Sequence, residues 1–126
     1  MNRDNNIINW LIDALHAAHP AVNCRPKTLT AFEGDSLALN CSVDGWPIPE
    51  VTFLRDNTTL NTSADPRVMF PPLEDARYWL LTLGSLEMSD RASYACVATN
   101  VIGGRRVVGN ATVFVRIKSR HSGNLL

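Results

Sequence analysis

Several features that define other classes of protein are missing from this sequence. No run of about 18 apolar residues occurs, so no segment has the form of a membrane-spanning helix, and we expect no direct membrane insertion. Twelve Lys and Arg balance twelve Asp and Glu, so the chain lacks the excess positive charge that nucleic-acid binding requires. With 126 residues, 45% of them hydrophobic, the chain is long enough for one domain with an ordinary core.

Histidine is scarce, and its positions argue against an enzyme. His16, His19 and His121 all lie near the chain ends, so none is available centrally as a base for a serine or cysteine nucleophile. Glu74 and Asp75 are adjacent and would face opposite sides of a strand, which makes a poor acid–base pair. No C-x-x-C pair, phosphate-binding glycine loop or EF-hand pattern occurs. We therefore expect no catalytic residue, no metal and no cofactor.

The first residues are predicted to form a short helix over residues 5–19. Their apolar positions follow the i, i+3, i+4, i+7 spacing of an amphipathic helix: Ile8, Leu11, Ile12 and Leu15. Pro20 would end this helix, and residues 1–25 are expected to be a helical or linker segment. A secretory signal peptide is the alternative, but polar residues interrupt the apolar stretch.

Between Pro26 and Ile117 apolar residues recur at every second position, which is the period of half-buried β-strands. The inward sets are Leu37, Leu39, Cys41 and Val43; Val51 and Phe53; Trp79, Leu81 and Leu83; Ala92, Tyr94, Cys96 and Ala98; and Ala111, Val113 and Val115. Turn residues separate these runs about every ten residues, a spacing typical of a sandwich or barrel. The pattern predicts an all-β domain over residues 26–117 and a polar tail over residues 118–126.

The number of cysteines is odd. Cys41 and Cys96 lie 55 residues apart at inward positions of two predicted strands, so in a sandwich they can face each other. Two free buried thiols are the alternative, because unpaired cysteine packs well in cores, and the redox compartment decides between them. Cys24 precedes the predicted domain and is expected to be the spare cysteine.

Three stretches of the sequence carry recognisable motifs. Residues 34–41 read GDSLALNC, residues 45–51 read GWPIPEV, and residues 90–103 follow the pattern D-x-A-x-Y-x-C-x-A-x-N-x-x-G. In this order they resemble strand B, the approach to strand C, and strand F with the F–G turn of the intermediate (I-set) class of the immunoglobulin superfamily. The resemblance covers residues 26–117.

The resemblance implies an immunoglobulin-like sandwich of two antiparallel sheets with Greek-key connections and a Cys41–Cys96 disulfide between the sheets. It also implies a tyrosine corner, in which the Tyr94 hydroxyl bonds back to the backbone. In similar domains the aspartate at Asp90 pairs with an arginine, for which Arg67 is the matching candidate.

Two further motif positions lie in the expected core. Leu81 matches an apolar position of strand E. Phe53 stands where the family has a tryptophan that packs on the disulfide, so this sequence departs from the pattern there. Trp79, which points inward by alternation, is expected to supply the missing volume.

I-set modules occur in extracellular proteins and in intracellular muscle proteins, so the resemblance leaves two functions open. The first is protein recognition, in adhesion or in a receptor ectodomain; the second is a structural spacer of a titin- or twitchin-like cytoplasmic protein. Four N-x-S/T glycosylation motifs favour the first and an extracellular location: Asn40, Asn57, Asn61 and Asn110. We expect a protein partner, homophilic or heterophilic, and a longer multidomain chain.

Three surfaces are candidates for contact with that partner. The F–G turn carries Ile102, Arg105 and Arg106, and arginine is a common interface anchor. The B–C loop carries Trp46, and residues 68–72 form the third candidate. Each has a plainer interpretation: a solvated hairpin tip, a tryptophan that covers the end of the sandwich, and an edge limited by two prolines.

Overall fold

The computed structural model describes residues 16–61, 65–70, 75 and 77–120. Within these residues the chain forms nine strands: β1 Ala18–Arg25, β2 Thr28–Phe32, β3 Leu37–Trp46, β4 Glu50–Arg55, β5 Thr58–Thr59, β6 Val68–Met69, β7 Tyr78–Leu83, β8 Ala92–Ile102 and β9 Arg105–Lys118. One turn of 3-10 helix, Met88–Asp90, lies between β7 and β8.

The strands form two sheets, which confirms the predicted sandwich. One sheet has the order β1–β3–β7–β6 and the other the order β2–β9–β8–β4–β5. All neighbouring strands are antiparallel except β2 and β9, which run parallel. This exception to the predicted antiparallel sheets arises because the chain changes sheet at Pro26. β1 pairs with β3, whereas β2 joins the last strand of the other sheet.

The core lies between the sheets and follows the predicted alternation. Along β3 the side chains of Leu37, Leu39, Cys41 and Val43 are buried, whereas those of Ala38 and Asn40 are exposed. The same alternation continues along β8 and β9. Burying one face of each sheet removes apolar surface from water and stabilises the two-layer arrangement.

An unexpected aromatic ring packs beside Phe53. Phe53 is buried on β4, and its ring stacks on that of Phe70 with 5.3 Å between centroids. Trp79, which the sequence predicted to fill this volume, is half-buried against the core. Phe70 therefore packs against Phe53, which stands where the family has a tryptophan.

The N-terminal boundary differs from the prediction. Residues 1–15, which carry most of the predicted helix, lie outside the described residues. The helix was expected to reach His19, but Ala18 and His19 belong to β1, so the sandwich begins at Ala18 rather than at Pro26. The missed signal is an alternation of inward residues, Pro20, Val22 and Cys24. Proline fits here because β1 is an edge strand.

Other predictions fall partly outside the described residues. Lys118 still belongs to β9, and residues 121–126 of the predicted tail, including His121, are not described. In the candidate surface over residues 68–72, Val68–Met69 forms β6, whereas Pro71 and Pro72 are not described. Glu74 and two residues of the Asn61 motif, Thr62 and Ser63, also lie outside the described residues.

A glycine on β9 allows the start of β1 to cross it closely. A Cβ atom on Gly109 would lie 2.9 Å from the carbonyl carbon of Pro20 and still closer to its oxygen. We expect Gly109→Ala to lower the free energy of unfolding by about 1–3 kcal/mol, because the backbone of β1 must shift. Urea unfolding measures this loss. Gly84→Ala, which meets no atom within 4 Å, is the control, and equal losses in both variants would contradict the prediction.

Candidate protein-binding site

Two of the predicted contact surfaces lie side by side at one end of the sandwich. β4 pairs with β8 so that Glu50 is opposite Thr99, which brings the loop between β3 and β4 next to the β8–β9 hairpin. The hairpin turns through Gly103 and Gly104, whose φ angles of +58° and +79° suit a tight turn of the I′ type. The two candidate surfaces are therefore neighbours in the fold.

A groove with a cavity of about 400 Å³ separates the loop from the hairpin. Its lining residues are Pro47, Ile48, Glu50, Thr99, Asn100, Val101 and Arg106. We call this set the end groove. Ile48 is 61% exposed and Val101 is 55% exposed, so two aliphatic side chains stand in solvent beside a guanidinium and a carboxylate. Such a mixture suits another protein surface, because apolar contact supplies affinity and charge supplies orientation.

The predicted partner-binding residues divide around the end groove. Arg106 lines it. Ile102 and Arg105 are cross-strand partners at the tip of the hairpin, and Arg105 is exposed. Trp46 ends β3 and is 40% exposed. Neither Trp46 nor the hairpin tip forms part of the groove lining.

Asn100 lines the end groove and was not recognised as a site residue from sequence. It is 5% exposed, and its Nδ2 atom donates hydrogen bonds to the carbonyl oxygens of Ala18 and Pro47, each at 3.0 Å. One side chain therefore joins β8 to the start of β1 and to the loop after β3. The sequence motif contains Asn100, but spacing along one strand could not reveal partners 53 and 82 residues away.

At the other end of β8, the structure brings Asp90, Tyr94 and Arg67 together. The Tyr94 hydroxyl donates to the carbonyl oxygen of Asp90 at 2.6 Å, the geometry of a tyrosine corner. The Arg67 guanidinium donates to both carboxylate oxygens of Asp90, at 2.8 and 2.9 Å. The Asp90 side chain is fully buried, and the backbone N–H of Glu87 also donates to it, at 2.7 Å. We call these four residues the Asp90 cluster.

The charges of the Asp90 cluster shift its pKa values. Burial alone would raise the pKa of Asp90, but hydrogen bonds from Arg67 and Glu87, with the positive charges of Arg67 and Arg55, lower it below the ordinary value. Arg55 lies 3.4 Å from a carboxylate oxygen of Asp90. Burial raises the pKa of Tyr94 to about 12. At neutral pH, Asp90 is therefore ionised and paired with Arg67, whereas Tyr94 keeps its proton and donates a hydrogen bond to the backbone.

Because the pKa of Asp90 is lower in the folded chain, the free energy of unfolding depends on pH in the acidic range. The ordinary pKa of aspartate is about 3.9, so the unfolded chain takes up a proton at higher pH than the folded chain. We expect this stabilisation to be complete above that value and to be lost as the pH falls through the lower, folded pKa. Urea unfolding between pH 2 and 6 should show a shallower pH dependence for Asp90→Asn than for the native chain. Parallel curves would contradict the assignment.

The disulfide in the structure differs from the expected one. Cys24 and Cys41 are bonded, and Cys96 is a buried free thiol, whereas the resemblance implied Cys41–Cys96 with Cys24 unpaired. The bridge joins two strands of the same sheet, since Cys24 and Cys41 are direct partners in the β1–β3 register. The error follows from the missed strand β1, without which Cys24 had no place in the core.

The four asparagines of the predicted glycosylation motifs are exposed. Asn57 lies in the turn between β4 and β5 with φ +69°, Asn40 lies on β3 and Asn110 on β9. Asn61 follows β5. Burial therefore blocks none of the four.

A family model described as "Immunoglobulin domain" matches residues 19–100. The chain belongs to this family. The match begins inside β1, in agreement with a sandwich that includes Ala18–Arg25. Among the described residues of this immunoglobulin domain, no helix combines the length and apolar character needed to span a membrane.

Curated relatives include proteins with adhesion and receptor names. The domain is 26% identical to mouse peroxidasin homolog over 118 residues and 28% identical to mouse receptor-type tyrosine-protein phosphatase F over 106 residues, covering 84% of this chain in both cases. It is 29% identical to Bos taurus neural cell adhesion molecule 1, covering 79% of this chain. The chain spans only 7%, 5% and 11% of these relatives, in that order.

The solved structures give the same fold. A chain in the crystal structure of titin domain M10 with an obscurin-like 1 immunoglobulin domain superposes with a TM-score of 0.69 and 25% identity. The match covers 82% of this chain and 96% of that one. The chain is therefore similar in sequence to proteins with adhesion and receptor names and in structure to a domain of a titin complex.

Proposed function

We propose that this immunoglobulin domain is a non-catalytic protein-binding module of a cell-surface or secreted protein, and that it contacts its partner through the end groove. The observation that carries the proposal is the exposure of Ile48 and Val101 next to Arg106. The Nδ2 atom of Asn100 on β8 donates to the carbonyl oxygen of Pro47, which ties the loop side of the groove to β8 before any partner binds. Little ordering of that side is therefore needed on binding. The adhesion and receptor relatives support the same role.

Binding is tested with a multivalent fusion of the domain, because avidity makes weak contacts measurable. The fusion is applied to a panel of cultured cells for a heterophilic partner and to beads that carry the domain for a homophilic one. We expect Ile48→Asp and Arg106→Glu each to weaken binding about tenfold or more. Arg116→Glu, exposed on the same strand outside the groove, is the matched control and should bind like the native domain. Native-like binding by both Ile48→Asp and Arg106→Glu would exclude the end groove.

An extracellular location is supported by the exposed glycosylation motifs and by the disulfide, because disulfides persist in oxidising compartments. Secretion from eukaryotic cells followed by glycosidase treatment should increase the gel mobility. Thr59→Ala and Thr112→Ala remove the motifs of Asn57 and Asn110 without changing either asparagine, so the turn at Asn57 is kept. An identical mobility before and after glycosidase would count against the extracellular assignment.

A structural spacer in an intracellular muscle protein is the second candidate. The likeness to titin immunoglobulin domains favours it. This function predicts reduced cysteines in the native protein, no glycan, and no partner at the end groove. The glycosidase and binding experiments therefore separate the two functions.

A further inference from the structure

We propose that Cys24, Cys41 and Cys96 form a disulfide-exchange site, in which the bridge moves between Cys24–Cys41 within one sheet and Cys41–Cys96 between the sheets. The three Sγ atoms lie within 4.8 Å of one another, and all three residues are buried. One disulfide and one free thiol share this space. The arrangement therefore places a free thiol next to a disulfide of the same chain. A thiolate attacks along the S–S axis, and three sulfurs this close together are not in line, so exchange requires a local movement of β1.

The exchange step balances within the chain. The Cys96 thiol loses its proton, and the thiolate attacks the Sγ atom of Cys41. The S–S bond to Cys24 breaks as the bond between Cys41 and Cys96 forms, and Cys24 leaves as a thiolate that takes up a proton. One disulfide and one thiol are present before and after, so no oxidant or reductant is consumed.

The position of the strands favours Cys24 as the leaving group. Cys41 lies on β3, which has β1 on one side and β7 on the other, and Cys96 lies on β8 between β9 and β4. β3 and β8 are therefore each hydrogen-bonded to a neighbouring strand on both edges. Cys24 lies on β1, an edge strand of its sheet. Exchange therefore changes what holds β1: bonded Cys24 ties the edge strand covalently to β3, and released Cys24 leaves it held by hydrogen bonds and packing.

Burial makes the exchange slow in the closed fold. It raises the pKa of the Cys96 thiol to about 12, so few molecules carry the thiolate at neutral pH. Brief opening of β1 would admit water and raise the thiolate fraction. The site is therefore expected to respond to conditions that loosen the edge strand.

Tryptic mapping without reduction tests the proposal on the oxidised 126-residue chain. Cleavage separates the three cysteines into residues 4–27, 28–55 and 92–105, so each bridge gives a distinct linked pair. The chain is held at pH 8 in sub-denaturing urea, quenched with acid and alkylated. We expect the 28–55 peptide linked to both of the others, with the free thiol divided between Cys24 and Cys96, at a ratio independent of protein concentration.

Two variants keep the test decisive. Cys96→Ser has no free thiol, so it should retain only the Cys24–Cys41 link. Cys24→Ser should fold with the Cys41–Cys96 link. The proposal is overturned if the native chain shows a single link throughout the incubation, if both bridges appear only through covalent dimers, or if Cys24→Ser remains a dithiol after oxidation.

Discussion

Replacing Arg67 with alanine is expected to lower the free energy of unfolding by about 3 kcal/mol, because a fully buried carboxylate would lose its main partner. Arg67 donates to both oxygens of Asp90, and its own side chain is 25% exposed. The loss is an uncompensated buried charge rather than a missing surface contact. It is at the lower end for buried pairs because Arg55 still lies 3.4 Å from Asp90.

The chain contains a matched control for this substitution. Arg77 contacts Asp75, two residues before it, through the same donors that Arg67 uses for Asp65: the backbone N–H, Nε and Nη2. The Arg77 side chain is 64% exposed, and its ion pair is open to solvent. Exposed pairs of this kind contribute about 0–1 kcal/mol. Arg77→Ala should therefore change stability by a small fraction of the Arg67→Ala effect.

Urea unfolding of the native chain and both variants at pH 7 measures this difference. If Arg67→Ala and Arg77→Ala lowered the free energy of unfolding equally, the Asp90 carboxylate would be stabilised sufficiently by other groups, for example Arg55 and the N–H of Glu87. A change of slope in the Arg67→Ala curve would instead indicate that the folded or unfolded state has become more or less compact.

The strands of the sandwich could be predicted because their signal is local. Buried and exposed side chains alternate along β3, β8 and β9 because each strand buries one face, and this alternation can be read from neighbouring residues of the sequence. The contact between Arg67 and Asp90 was expected from the resemblance alone. It joins residues 23 apart, and no spacing rule specifies such a pair.

The predictions that failed, and the site residue that was missed, depend on contacts distant in sequence. The first two residues of β1 were assigned to the end of a helix because the apolar spacing before them is helical, and the rest of β1 was assigned to a linker. The alternation that marks the strand covers only Pro20, Val22 and Cys24. Its place in the sheet depends on pairing with β3 and on the space left by Gly109. The disulfide followed that error. The end groove was not predicted, and of the four predicted partner-binding residues only Arg106 lines it. Its two sides belong to separate stretches of sequence, which only the pairing of β4 with β8 brings together.

The double substitution Cys24→Ala with Cys41→Ala is expected to abolish the part of the stability that depends on redox conditions. Cys24 and Cys41 are 17 residues apart, and closing a loop of that length stabilises a fold by about 3 kcal/mol in the chain-entropy model. The native chain should therefore unfold at higher urea in oxidising buffer than in reducing buffer. The double variant should unfold at the same urea concentration in both, because it retains one cysteine.

Each alanine substitution leaves a small cavity that lowers the stability in either buffer. Comparing the same variant in oxidising and reducing buffer cancels this loss. Cys96→Ala is the control: with the bridge between Cys24 and Cys41, it keeps a redox-dependent difference of about 3 kcal/mol. If Cys41–Cys96 were the sole bridge, this control would lose the difference instead. A Cys96→Ala domain that unfolds identically in oxidising and reducing buffer would therefore overturn the assignment of the bridge to β1 and β3.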